Sequence, residues 1–213
     1  MREENTEHIV YSKSVIEFAT VAKEYCSFIE NQQSHSLQQF LSTIQKLLPL
    51  LYLKTSMIPA LSDDDAETPE KYLTEVDYTF LLNKLSVKLG SHDSYLEVFD
   101  QGMQFSETPI ESSISENLCD IYQDLKDFIF AYRMGTTEIM SDALWECKKN
   151  YEEFWGQKLV NVLRAIHALL YSDTLLNDDK GYFHKDEPTP KKSWVSNHFS
   201  NRITEEGFTD NDL

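Results

Sequence analysis

The stretch Ser113–Tyr171 constrains this chain more than any other: it reads as two consecutive long helices hinged at Met134-Gly135-Thr136. Ser113-Ile114-Ser115-Glu116 has the form of a capping box, a hydroxyl residue followed three positions later by glutamate. Ile114, Leu118, Ile121, Leu125, Phe128, Ile129 and Tyr132 then recur at the spacing that stacks side chains on one helix face. Gly135 stands where a left-handed cap ends such a helix. A second stripe follows in Ile139, Ala143, Cys147, Phe154, Leu159, Val162, Ile166 and Leu169, widened by Leu144, Tyr151, Trp155, Leu163 and Leu170. Gly156 interrupts it. A mid-helix glycine costs about 1 kcal/mol relative to alanine, so it marks either a close helix–helix approach or a break into two helices.

Three further helices precede this pair. Ser14-Val15-Ile16-Glu17 has the capping-box form and opens a helix that should end near Glu30, with Val15, Phe18, Ala19, Ala22, Tyr25, Cys26 and Ile29 inward. The next runs from about Leu37 to Leu48 and is expected to continue through Pro49 to Lys54 as a buried kink, since both flanks are apolar. Ser62 to Thr68 is an acidic loop. Thr68-Pro69 then has the form of an N-cap with proline at the first helical position, and the helix it opens should reach Leu89 and stop at Gly90. Tyr95–Asp100 is expected as a single helical turn and Gln101–Ser112 as loop. The expected fold is all-α, an irregular antiparallel bundle of five to six helices with roughly 60% helix against a usual third. Short connectors at residues 31–36 and 134–136 make their flanking helices antiparallel neighbours.

Composition agrees with long helices: six glycines and six prolines among 213 residues leave few chain breakers. Apolar residues make up 41%, with 12 Phe and 11 Tyr, enough for a globular core. No apolar run reaches the length of a membrane span, and the opening residues lack the apolar region of a secretory leader. The net charge of −17 repels phosphate backbones and anionic lipid, so neither nucleic acid nor membrane is an expected partner. Cys26, Cys119 and Cys147 are odd in number, widely spaced and set in helical patterns, which reads as buried free thiols in a reducing, cytoplasmic compartment.

Composition changes after Leu176, dividing the chain into a helical domain (1–176) and a tail (177–213). Between Lys180 and Arg202 five Lys/Arg stand against two acids. Trp194, Val195, His198, Phe199, Arg202 and Ile203 follow at helical spacing, so Trp194, Val195, Phe199 and Ile203 share one face of an expected amphipathic tail helix. Such a face needs cover, from a partner's groove or from the chain's own acidic body. The last residues, from Thr204, are acidic again.

Several segments in order carry a resemblance: Glu17-Phe18 to Tyr25-Cys26, Leu47-Leu48-Pro49-Leu50-Leu51-Tyr52-Leu53, Tyr95-Leu96-Glu97-Val98-Phe99, Leu118 to Lys126, Trp155-Gly156, and Leu163-Arg164-Ala165-Ile166-His167. As a set they resemble a bacterial domain-of-unknown-function family, number five-zero-six-three, over roughly residues 10 to 172. The resemblance implies a compact helical cytoplasmic domain and supplies no catalytic residues.

The residues themselves offer little chemistry. The six histidines form no HxH, HExxH or ExxH pattern, and there is no nucleophile elbow, P-loop or GxGxxG. No cofactor is therefore expected. His167 stands alone on an apolar helix and reads as a hydrogen-bonded boundary histidine. Glu67/Glu70 and Glu97/Asp100 have the ExxE and ExxD spacing of helical magnesium-dependent pyrophosphatases, but Pro69 and the acidic loop place Glu67 outside a helix interior. Asp120, Asp124 and Asp127 lie at i, i+4 and i+7 on one flank of the helix that begins at Ser113. They are the candidate metal ligands, with a solvated helix flank as the simpler reading. The balance favours a non-enzymatic protein-interaction or regulatory domain. The alternative is a metal-dependent hydrolase or small-ligand binder using helix-borne carboxylates.

Overall fold

The computed structural model describes residues 9–61, 69–97 and 110–172. The tail with Trp194, Val195, Phe199 and Ile203, the acidic loop and most of the expected Gln101–Ser112 loop lie outside the described residues.

Five of the helices begin where a side-chain oxygen takes up a free backbone N–H. Helix α1 (Lys13–Glu30) is capped by Ser12, whose hydroxyl accepts from Val15 N, so the start lies just upstream of the Ser14 box. Helix α2 (Leu37–Ser56) opens on a full capping box between Ser36 and Gln39, with bonds of 3.2 and 3.0 Å. It runs through Pro49 as expected, and the proline itself is exposed rather than buried. Helix α3 (Glu75–Leu89) is capped by Thr74 and ends at Gly90 with φ 53°. Helix α4 (Ile114–Met134) is capped by Ser113 accepting from Glu116 N, and ends at Gly135 in the left-handed region, φ 92°. Helix α5 (Thr137–Asn150) starts at its Thr136 cap. It passes through a π turn (Tyr151–Trp155) into α6 (Gly156–Tyr171).

Among the described residues five helical rods build the fold, the last spliced from α5 and α6, and α4 packs against α1, α3, α5 and α6. Between α1 and α4 the Phe18 and Phe128 rings stand 5.0 Å apart, and Tyr25 OH donates to Leu118 O at 2.9 Å. Trp155 is wholly buried and its indole N–H reaches Cys147 O at 3.3 Å. All three cysteines are free and buried, and burial pushes their thiols well above the usual range. That leaves them protonated and inert, as small apolar side chains. Among the described residues no helix is long and apolar enough to cross a membrane.

The expected start of α3 and the expected turn at Tyr95 fail, both through contacts made far along the chain. The helix expected from Thr68-Pro69 starts six residues later, at Glu75. The Asp127 carboxylate accepts from Tyr72 N at 3.0 Å and Leu73 N at 2.8 Å, which ties this segment across α4 in a non-helical path. The expected helical turn at Tyr95 is instead strand β1 (Ser94–Leu96). It pairs antiparallel with β2 (Glu111–Ser113) in the register Ser94↔Ser113, Tyr95↔Ser112 and Leu96↔Glu111. Asp93 fastens this hairpin to α4 by accepting from Ser115 N and Ser115 Oγ, each at 2.7 Å.

Gly156 stands where the rod divides into α5 and α6, and the division is a π turn rather than an open break. Its N–H donates to Tyr151 O, the five-residue bond of a π turn, and a Cβ there would stand 2.4 Å from that oxygen. The extra residue also shifts the helical phase. Tyr151 and Trp155 turn inward, while Phe154, expected in the stripe, is 48% exposed.

Candidate functional site

Asp120, Asp124 and Asp127 share the α4 flank that the sequence indicates, but each meets a different neighbour and none is a solvated flank residue. Asp120 accepts from Tyr78 OH at 2.7 Å on α3 and pairs with Lys158 on α6. Asp124 accepts from Asn150 Nδ2 at 2.6 Å at the end of α5. Asp127 is buried, with Oδ1 holding Tyr72 N and Leu73 N. Its Oδ2 has no hydrogen-bond partner among the described residues, and Lys71 Nζ lies 4.0 Å away.

Asp124 and Asp127 do share a small recess with Glu70, Lys71, Glu146 and Asn150. Lys71 is its cation and pairs with Glu146 at 2.9 Å. Burial opposes the Lys71 charge, but the Glu146 hydrogen bond and surrounding carboxylates raise its pKa overall. Burial lifts Asp124 to about 6 against the lowering pull of Asn150 and Lys71. Burial also raises Asp127, against its two backbone donors and Lys71. The cavity holds only about 10 Å³, roughly the space of one water. Its work is to fasten residues 69–73 onto α4 and α5. Among the described residues no three His, Cys, Asp or Glu side chains converge as ligands of one ion.

The larger concavity lies at the other end of α4. A cleft of about 360 Å³ is walled by the hairpin, the first turn of α4, the π turn and the start of α6. Four glutamates line it, Glu97, Glu111, Glu116 and Glu153, together with Asn117, Gln157, Asn161 and the exposed ring of Phe154. The walls are braced rather than loose. Asn161 donates to Glu97, Ser94 Oγ to Glu111, and Asn117 Nδ2 to Tyr95 OH at 2.6 Å and Ser112 Oγ at 3.2 Å. The lysine in this lining, Lys158, lies with Nζ 4.2 Å from the centre of the Phe154 ring and is paired with Asp120. Glu111, Glu116 and Glu153 therefore face solvent, Glu97 is half-buried beside Asn161, and no cation of the lining is assigned to any of them. The cleft offers carboxylates, amides and one aromatic face, a chemistry suited to ammonium and guanidinium groups on an apolar stem.

No motif in the sequence points to this cleft, because its residues come from three separate segments. The spacing of Phe154 reads as a core position, since the π turn that turns it outward has no strong sequence signal beyond Gly156. Glu97 has the ExxD spacing, but it sits beside strand β1 and Asp100 lies outside the described residues. Glu70 borders the small recess instead, so Glu97 and Glu70 serve different surfaces. His167 is exposed on α6, with Nδ1 3.2 Å from Gln45 Nε2.

Comparison with other proteins places most of the chain. A family model described as a domain of unknown function, DUF5063, matches residues 9–172. The crystal structure of a Bacteroides fragilis protein, solved as a structural-genomics target, is 45% identical with a TM-score of 0.69, covering 77% of this chain and 96% of that one. No curated protein matches the chain.

Proposed function

The chain belongs to the DUF5063 family, a domain of unknown function, and we propose that it is a non-enzymatic helical interaction domain whose acidic cleft receives a basic, partly apolar protein segment. One observation carries this reading: the cleft presents four glutamates and the Phe154 ring, while Lys158 is held by Asp120. A basic segment entering it exchanges hydrated carboxylates for charge-assisted hydrogen bonds and covers an exposed aromatic ring. The overall charge of −17 steers cationic partners toward the molecule before contact.

The test is binding of a labelled basic amphipathic peptide rich in lysine and tryptophan to the full chain, followed by fluorescence anisotropy. Neutralising the rim with Glu111→Gln, Glu116→Gln and Glu153→Gln should weaken binding by about tenfold or more and flatten its salt dependence. Lys13→Gln, on the opposite end of the bundle, should not weaken it. Equal affinity for the wild type and the rim variant would exclude the cleft as the recognition surface.

A further inference from the structure

We infer that the occupant of the acidic cleft is the chain's own segment 180–203, which docks there and competes with any partner. The inference rests on the cleft reading above and names what fills it.

Three observations point to this segment. The first is charge. Residues 180–202 carry five Lys/Arg against two acids on a chain that is otherwise strongly acidic, and the cleft rim carries four glutamates. The second is apolar match. The spacing of Trp194, Val195, Phe199 and Ile203 gathers four large side chains on one face, and Phe154 offers an exposed ring in the cleft lining.

The third is reach. The cleft residues Gln157, Lys158 and Asn161 stand on α6, the helix from whose end the segment departs. Ten residues of helix separate Asn161 from Tyr171, about 15 Å. Twenty-two residues join Ser172 to Trp194, with a maximum span of roughly 70 Å. The return to the cleft therefore needs only a small part of the available length, and tethering holds the segment near the site at high effective concentration. The segment also lies beyond residue 172, where the family match ends. Self-occupancy is thus a feature of this chain's extension laid on the family's domain.

Disulfide trapping in the full chain tests the inference, because Cys26, Cys119 and Cys147 are buried and leave introduced cysteines as the reactive pair. Gln157→Cys with Ser193→Cys should close within the monomer at least about tenfold faster than Lys46→Cys with Ser193→Cys. Lys46 is the control because it is exposed and outside the cleft, yet adjoins Gln45, which bonds His167 near the end of α6, so a segment that is only tethered would reach it at least as readily as Gln157. High salt or the three rim glutamines should abolish the advantage. Equal rates for the two pairs, or closure only between molecules, would overturn the inference.

A second arm separates its failure from that of the cleft reading. Lys191→Gln, Lys192→Gln and Trp194→Ala together should tighten binding of the added basic peptide several-fold by removing the internal competitor. Unchanged tight binding leaves the cleft reading standing and removes its own segment as occupant. No binding to either protein, with no preferential trapping, removes both.

Discussion

Gly156 shows how one residue can contradict its own propensity. Alanine at an ordinary mid-helix glycine gains about 1 kcal/mol. Here a Cβ meets Tyr151 O at 2.4 Å and two Tyr151 ring carbons at 3.0 Å, and the backbone oxygen cannot move without undoing the π turn. Gly156→Ala should therefore destabilise the protein by roughly 2 kcal/mol, the range of overpacking, measured by urea unfolding. A stabilised variant would show that the turn relaxes into regular helix. The carboxylates of α4 give a second prediction. Burial raises Asp124 to about 6 in the folded protein, whereas the unfolded carboxyl titrates near 3.9. Between about pH 4 and 6 the folded state thus binds more protons at this residue, and its contribution to stability rises as pH falls through that window. Asp124→Asn keeps an oxygen for Asn150 Nδ2 and has no titration. The stability difference between variant and wild type should shrink steadily from pH 7 to pH 4, and a difference independent of pH would contradict the assignment. Asp127 behaves differently, because its contribution is to two backbone donors. Asp127→Ala leaves Tyr72 N and Leu73 N without their acceptor. It should cost about 2–4 kcal/mol, with Asp127→Asn costing less.

At the scale of elements, sequence legibility followed the range of the deciding contacts. The ends of α4 were readable because Ser113 and Gly135 act on their own helix. The start of α3 was not, because Thr68-Pro69 is a sound local signal overruled by Asp127, more than fifty residues away. Strand β1 has the same history, its partner strand lying some fifteen residues on and its anchor being Asp93 against α4. The cleft inherits both difficulties. It forms only once the hairpin is fastened beside α4 and the π turn has shifted Phe154 outward. Helix α2 offers a test of an element that keeps a local cost. Pro49 stands exposed within it and removes the N–H that would bond four residues back, to Gln45. Pro49→Ala restores that donor and loses no buried surface. It should stabilise the protein by about 1–2 kcal/mol after the greater freedom of the unfolded chain is subtracted. A lower melting temperature would mean that Pro49 itself is required for packing of α2 on α6.

At the scale of the molecule, the core of the described residues lies inside the family region. The buried apolar cluster among the described residues runs from Val10 to Ile166, and the family match runs from 9 to 172. The Bacteroides fragilis structure is covered over 96% of its length by 77% of this chain, so a domain of about this extent suffices to fold in a relative. A chain ending at Ser172 should accordingly retain the helical dichroism of the core and a single cooperative unfolding transition. Removal of residues 173–213 takes away the basic stretch with its tryptophan and leaves the four cleft glutamates without it. The shortened chain should melt a few degrees below the full chain at low ionic strength, where about 1 kcal/mol shifts a domain of this size by roughly 2–4 °C. The gap should close at high salt, as screening removes the attraction between segment and cleft. A shortened chain that fails to unfold cooperatively would place part of the essential core beyond Ser172. A gap that persists unchanged at high salt would mean that the segment contributes through apolar burial, with the cleft carboxylates playing no part in holding it.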